Sequence, residues 1–140
     1  METETIQLLK RYKDMKRLIY ALIILMFISI ICLTGSILIC QYCEKSREEL
    51  RFCANLSEER DWNEAQIQTE KLKSDFEKRE PVMAIFVDHK LLDNINELMS
   101  TLPVYAKKEE DIKFEAVCAE IGVILDRISG MQSIKIENFY

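Results

Sequence analysis

The single histidine of the chain is the first residue to consider for chemistry. His89 follows Asp88, and Asp93 lies four residues further on, where a helix would place it near the imidazole. A histidine beside a carboxylate can serve as a general acid or base, or as part of a metal site. A zinc site needs three or four protein ligands, however, and the neighbouring sequence supplies neither a second histidine nor a cysteine. We therefore interpret His89 as a packed or capping residue. We expect no enzyme activity, no metal and no cofactor, and we rank an enzyme that uses His89 and Asp93 last.

Five cysteines are the other side chains that could carry chemistry. Cys32 and Cys40 lie in an apolar run, Cys43 lies at its outer edge, and Cys53 and Cys118 lie well beyond it. In an oxidising compartment Cys53 and Cys118 could join two helices by a disulfide; alternatively, both are buried thiols that fill core space. We favour the buried thiols. A disulfide between the Cys43 residues of two copies is a further hypothesis.

A run of 23 uncharged residues, Leu18 to Cys40, precedes the rest of the chain and determines where that part is held. As a helix this run would be about 34 Å long, which is enough to cross the ~30 Å hydrocarbon core of a bilayer. Cleaved signal peptides have shorter apolar stretches and a small-residue cleavage site. We therefore predict a retained signal anchor, which divides the chain into an N-terminus at 1–17, a transmembrane helix at 18–40 and an outer segment at 41–140.

The charges on either side of this run predict its orientation. The residues before it include a basic cluster, Lys10, Arg11, Lys13, Lys16 and Arg17, whereas residues 41–140 carry 14 basic and 21 acidic side chains, a net charge of −7. Because basic flanks stay in the cytoplasm, we expect a cytoplasmic N-terminus and an extracytoplasmic C-terminal domain at the cell membrane. The basic cluster favours contact with anionic membrane lipid. The acidic outer segment makes nucleic acid an unexpected partner.

One stripe of the apolar run is made of small residues. Ser29, Cys32, Ser36 and Cys43 recur at helical spacing, and small side chains allow two membrane helices to approach closely. The stripe therefore suggests a helix-packing face through which two copies associate. Small residues are also common in membrane helices without such a role, and we rank that explanation first.

The outer segment has the periodicity of helices. It contains few turn-forming residues, since the whole chain has three glycines and two prolines. Apolar residues recur every three or four positions. The predicted helices run over Gln41–Glu59, Asp61–Arg79, Val82–Tyr105 and Glu109–Ser129. We predict an all-α fold in which the transmembrane helix is followed by an antiparallel helical bundle or a helix-hairpin stack.

Particular residues are expected to anchor and delimit these helices. Trp62, Phe76, His89 and Leu92 are the predicted core anchors, because they lie on the apolar stripes of their helices. Breaks are expected at Pro81, Pro103 and Gly130. After Gly130 we expect an extended tail whose final aromatic residues, Phe139 and Tyr140, pack against the helices.

The chain resembles a family of short membrane-anchored proteins from Clostridia and related Firmicutes that is classed as a domain of unknown function. The resemblance runs over nearly the whole chain. It rests on the N-terminal anchor, on Asp61-Trp62 followed by Ala65, Leu72 and Phe76, on Asp88-His89 followed by Leu92, Ile95 and Leu98, and on the terminal Glu137-Asn138-Phe139-Tyr140. It implies a bacterial membrane protein with an extracytoplasmic helical domain, and it implies no particular activity.

Two functions fit an anchored helical domain without catalytic residues. The first is a protein-interaction or scaffolding module at the outer face of the membrane, where anchoring raises its effective concentration for a membrane-associated partner, including a second copy. The second is a sensor or small-ligand-binding domain. A pocket between helices, lined by Trp62, Phe76 or His89, would distinguish the second function from the first.

Overall fold

The computed structural model describes residues 2–137 and consists of four α-helices: α1 (Glu2–Glu58), α2 (Trp62–Met83), α3 (His89–Lys108) and α4 (Asp111–Glu137). Within these residues there is no strand, so the all-α prediction is confirmed. The aromatic residues Phe139 and Tyr140, which we expected to pack against the helices, lie outside the described range.

The chain divides into two compact units, Met1–Gly35 and Ser36–Tyr140. In the described part of the first unit, almost all of the large apolar side chains are exposed; Leu22, Ile24 and Phe27, for example, are each more than half exposed. Among the described residues, α1 is the one helix that is long and apolar enough to cross a bilayer. The second unit begins at Ser36, inside the apolar run.

One hydrophobic core holds the second unit together. The core side chains come from all four helices and include Leu50, Leu72, Phe76, Leu92, Ile95, Met99, Phe114, Ile121 and Leu125. Each fully buried Leu, Ile or Phe contributes about 1.5–3 kcal/mol to folding relative to an exposed side chain. Short connections of a few residues join successive helices, so neighbouring helices run antiparallel.

An aspartate side chain caps the start of α2 and the start of α3. Asp61 precedes α2 and accepts a hydrogen bond from the backbone N–H of Glu64 over 3.2 Å. Asp88 precedes α3 in the same way and accepts from the N–H of Lys90 over 2.9 Å. Both carboxylates satisfy backbone donors that the first turn of a helix leaves unpaired. The second helix of the outer segment was predicted to begin at Asp61, and Asp61 is the residue that caps α2.

Neither proline ends a helix, which corrects the predicted boundaries. α2 continues through Pro81 to Met83, and α3 begins at His89, so the residues between Met83 and His89 form a loop and not the first turns of the third helix. α3 likewise passes through Pro103. A proline inside a helix removes a backbone hydrogen bond. The burial of Met83 in α2, which is 3 % exposed, and of Leu102 in α3 offsets that loss.

The predicted end of the last helix at Gly130 is also wrong. α4 continues to Glu137, Gly130 has no positive φ, and residues 133–137 are helical where an extended tail was expected. The reason is packing on both sides of the glycine. Ile128 is 1 % exposed and Gln132 is 2 % exposed, so ending the helix at Gly130 would remove Gln132 from the core.

Candidate functional site

A groove lies between α1 and α4 in the second unit. Its volume is about 390 Å³, which lies within the range of small binding sites. Ten residues line it: Arg47, Leu50, Arg51 and Ala54 from α1, and Glu115, Cys118, Ala119, Gly122, Val123 and Asp126 from α4. We call this feature the α1/α4 groove.

The groove exists because α4 carries two apolar rows and the bundle buries one of them. The buried row includes Phe114, Ile121, Leu125 and Ile128. The second row is exposed and consists of Ile112, Ala116, Ala119 and Val123, of which Ile112 is 84 % exposed and Val123 is 60 % exposed. Since two residues of the second row also line the groove, apolar surface continues from the groove along the outside of α4.

Small residues keep the groove open. Ala119 and Gly122 lie on its α4 wall, and Ala54 lies on its α1 wall. A Cβ atom added at Gly122 would have nothing within 4 Å, so the space above this residue is unfilled. Because α4 presents little side-chain volume here, a side chain of a bound segment could occupy that space.

Charged residues border the apolar walls. Arg47 of α1 forms an ion pair with Asp126 of α4 across one end of the groove. Arg51 and Glu115, one of each sign, also line it. A groove with apolar walls and charges of both signs at its border is typical of surfaces that bind an amphipathic helix.

The two helices of the groove each carry a buried thiol, and one of them, Cys118, lines the groove. Cys53 is 1 % exposed and Cys118 is 5 % exposed, and both are free thiols. Burial raises the pKa of Cys53 to about 11, and burial together with the nearby Cys53 thiol raises the pKa of Cys118 to about 12. Both thiols are therefore protonated at neutral pH and behave as small apolar groups. Cys53 and Cys118 are thus both buried, as we expect of thiols that fill core space.

Our sequence interpretation overlooked one cysteine motif. Cys40 and Cys43 form a Cys-x-x-Cys spacing, which is a signal for redox or metal chemistry. Reactive cysteines of this kind have a lowered pKa at a helix N-terminus. Here both residues lie within α1, and burial raises the pKa of Cys43 to about 12. The Cys40 thiol donates to the backbone carbonyl of Ser129 over 3.7 Å. The environment of the pair is thus that of packed thiols.

The predicted core anchors occupy different environments. Phe76 and Leu92 are buried at 0 % and 1 % exposure, and the half-buried Trp62 packs edge-to-face against Phe114 at 5.8 Å between ring centroids. His89 is exposed at the start of α3, so the expectation that it packs in the core is wrong. The reason is that α3 begins at His89, directly after the loop that follows α2. His89 therefore lies at the end of the helix and not within its buried part.

His89 and Asp93, the two residues considered for acid–base chemistry, lie four residues apart in α3, and both are exposed. Across residues 2–137, no three or more histidine, cysteine, aspartate or glutamate side chains are grouped so as to hold a metal ion.

The stripe of small residues is divided between two environments. Cys32 is exposed, and the Ser29 hydroxyl donates to the backbone carbonyl of Leu25 in its own helix. Ser36 and Cys43, in contrast, are buried at 5 % and 0 % exposure within the second unit. Packing inside one chain therefore occupies these two positions, and a Cys43 disulfide between two folded copies would need the bundle to open.

Comparison with known proteins places the chain in a family. None of the curated proteins matches the chain, and none of the solved structures matches it. One family model matches residues 36–139 and so coincides with the second compact unit, which begins at Ser36. The chain therefore belongs to the family described as Domain of unknown function (DUF4363).

Proposed function

We propose that this chain is a single-pass membrane protein whose helical domain, at the outer face of the cell membrane, binds a helix of another membrane-associated protein. The observation that carries the proposal is the exposed apolar row of α4 beside the α1/α4 groove. The core of the domain packs against one apolar row of α4, so core packing does not explain why the second row is apolar as well. An apolar surface of this kind on a folded domain indicates an interaction site.

The anchoring part of the proposal rests on the apolar run. Its large side chains are exposed in the first unit, which is costly in water and favourable in lipid. The basic cluster that precedes the run supports a cytoplasmic N-terminus. An anchored domain meets a membrane-bound partner at a raised effective concentration, so even a weak groove contact is sufficient for association.

The geometry favours protein binding over the sensor hypothesis. Trp62 packs on Phe114, Phe76 lies fully buried in the core, and His89 is exposed. These side chains therefore do not form the lining that we expected of a ligand pocket. None of the three lines the α1/α4 groove.

A photocrosslinking amino acid at Val123 in the full-length protein tests the proposal in intact cells. We expect a discrete adduct with another membrane protein after illumination, identified by mass spectrometry and recovered again when that protein is used as bait. Gly122→Leu should fill the groove and abolish the adduct. Gly130→Leu is the matched control, because Gly130 lies on the same helix outside the groove and also has open space around it.

Three outcomes would contradict this proposal. The first is no adduct at all. The second is an adduct that Gly122→Leu leaves unchanged, since the occupant would then not use the groove. The third is an adduct of twice the mass of the chain, which would identify a second copy as the occupant.

A further inference from the structure

A second groove, between α1 and α2, lies where the bundle meets the end of the apolar run. Its volume is about 320 Å³. It is lined by Leu38, Ile39, Gln41, Tyr42 and Lys45 from α1 and by Lys78, Arg79, Val82 and Met83 from α2. We call it the α1/α2 groove. All of these residues belong to the second compact unit.

This end of the bundle has an apolar outer surface. We call this end of the bundle the base. The base comprises residues 36–40 of α1, the α2–α3 loop and residues 129–134 of α4. Gln132 joins these segments, since it accepts from the Ser36 hydroxyl and donates to the backbone carbonyl of Phe86. Six large apolar side chains at or beside the base are 45–74 % exposed: Ile37, Leu38, Val82, Ile85, Met131 and Ile134.

Three cations lie one or two helical turns above this apolar surface. Lys45 is seven residues beyond Leu38 on α1, which is about 10 Å along the helix axis. Lys78 is four residues before Val82 on α2, which is about 6 Å. Lys45 and Lys78 are exposed, and Arg79 lies over the Tyr42 ring at 4.9 Å. Apolar side chains below and cations above match the order of acyl chains and phosphates in a bilayer leaflet.

The lysines of the groove form only long ion pairs with nearby carboxylates. Glu49 lies 3.6 Å from Lys45, and Asp75 lies 3.8 Å from Lys78, both as exposed pairs within one helix. Such pairs contribute little stability, and a phosphate can replace the carboxylate in each of them. An anion in the groove therefore does not need to displace a buried ion pair.

The inner wall of the groove contains two buried hydroxyl groups. The Tyr42 side chain lines the groove and is 9 % exposed. The hydroxyl of Ser46, one turn further along α1, is buried as well and lies within reach of the Tyr42 hydroxyl. Since each hydroxyl can both donate and accept, this pair keeps hydrogen-bonding capacity that a polar ligand could use.

We propose that the α1/α2 groove binds an anionic phospholipid of the surrounding leaflet. The lipid phosphate contacts Lys45, Lys78 and Arg79, and an acyl chain lies along Leu38 and Val82. This inference rests on the membrane anchoring proposed above, because lipid reaches the groove only if the apolar run is in a bilayer. The bound lipid fixes the depth at which the bundle lies in the interface.

Native mass spectrometry of the full-length protein tests this binding site. The protein is released from mixed micelles that contain equal amounts of phosphatidylglycerol and phosphatidylcholine. We expect one retained phosphatidylglycerol per chain and little phosphatidylcholine. The double substitution Lys45→Gln with Lys78→Gln should lower that retention roughly tenfold or more, since each basic residue at a lipid surface contributes about fivefold in affinity.

The matched control removes two positive charges from the opposite end of the bundle, by Lys107→Gln with Lys108→Gln at the end of α3. It should retain phosphatidylglycerol as the wild type does. All four lysines are exposed, so both double variants should fold, which circular dichroism verifies. Equal retention by the two variants would overturn the proposal, as would equal retention of the neutral lipid. Complete competition by soluble glycerol phosphate would also overturn it, because the site would then bind a free anion.

Alkaline carbonate extraction separates this proposal from the membrane anchoring on which it rests. If carbonate releases the wild-type protein from membranes, the anchoring is wrong and the lipid site fails with it. If the protein stays in the membrane but retention does not depend on Lys45 and Lys78, the lipid site alone is wrong.

Discussion

At the scale of single residues, Gln132 joins separate segments at the base of the bundle. Its amide oxygen accepts from the Ser36 hydroxyl over 3.0 Å, and its amide nitrogen donates to the backbone carbonyl of Phe86 over 3.2 Å. One side chain of α4 thereby contacts both α1 and the α2–α3 loop. The amide is buried, so water cannot replace these hydrogen bonds when they are broken. Losing them therefore costs free energy.

Gln132→Ala is expected to lower the free energy of unfolding by about 2–3 kcal/mol, because it removes two buried hydrogen bonds and leaves the Ser36 hydroxyl without this partner. Chemical unfolding in detergent micelles, followed by circular dichroism, measures the change. Ser133→Ala removes an exposed hydroxyl one residue away and should cost less than about 0.5 kcal/mol. Equal effects of the two substitutions would show that Gln132 does not join the helices.

The buried thiols give the bundle a pH dependence in the alkaline range. Burial raises the pKa of Cys53 to about 11 and of Cys118 to about 12 from an ordinary 9.0. Below pH 9 the thiols are protonated in both the folded and the unfolded chain, so they contribute no pH dependence there. Above pH 9 the unfolded chain releases these protons and the folded chain retains them, so stability falls as pH rises.

Replacing both buried thiols should therefore make stability less dependent on pH. We expect the free energy of unfolding to fall less steeply between pH 9 and pH 11 in the Cys53→Ala with Cys118→Ala variant than in the wild type. Denaturant unfolding at a series of pH values measures the slope. Cys32→Ala, at an exposed position, should leave the slope unchanged. An identical slope in the double variant would show that these thiols ionise equally in both states.

At the scale of the helices, α4 shows how packing overrides local signals. Gly122 and Gly130 both lie inside this helix, where glycine is less favourable than alanine because it loses more backbone freedom on folding. Neither glycine has a positive φ, and an added Cβ meets nothing within 4 Å at either position. The fold therefore does not require glycine at these two positions.

Gly122→Ala and Gly130→Ala should each raise the free energy of unfolding by about 0.5–1 kcal/mol. Thermal or denaturant unfolding of the two variants measures this gain. The reverse change on the same helix, Ala119→Gly, should lower the free energy by a similar amount and serves as the control. A loss of stability in Gly122→Ala would mean that another group occupies the space beside the glycine.

The helices also show which features can be read from a sequence. Asp61 marks the start of α2 because capping is an interaction within one turn, and Leu72 and Phe76 are buried because helical spacing puts them on one face. The helix ends expected at Pro81 and Gly130 were wrong because distant contacts offset the local cost. Those contacts depend on the arrangement of all four helices, which no local pattern contains.

The candidate site was less accessible to prediction than the fold. Both apolar rows of α4 can be recognised in the sequence, but their periodicity is the same, so it does not reveal which row faces solvent. The row that faces solvent is decided by the position at which α1 packs against α4. At this position Arg47 of α1 lies beside Asp126 of α4. His89 was misplaced for a related reason, since the length of the α2–α3 loop decides where α3 begins. The Cys40 and Cys43 spacing was visible in the sequence and was overlooked.

At the scale of the whole molecule, the proposed topology puts most of the charge on one side of the membrane. Residues 41–140 carry a net charge of −7, and basic residues precede the apolar run. This asymmetry agrees with the rule that basic flanks remain in the cytoplasm. It makes a direct prediction for proteolysis.

Protease added to intact cells should degrade most of the segment beyond the apolar run and leave an N-terminal tag protected. Immunoblots against tags at the two ends of the full-length protein measure the two fractions. Inside-out vesicles, as the control, should give the opposite pattern. Protection of the C-terminal tag together with loss of the N-terminal tag in intact cells would reverse the proposed topology, and the same fate for both tags would argue against a membrane-spanning segment.

The contact between Ser36 and Gln132 has a consequence for biosynthesis. These two residues lie 96 positions apart in the chain, so the ribosome completes α1 long before it makes the helix segment that closes the base. During that interval the face of α1 that packs against α4 has no partner, and closing so long a loop is slow. The nascent chain therefore passes through a stage in which this face of α1 is uncovered, and the base closes only after the end of α4 has been synthesised.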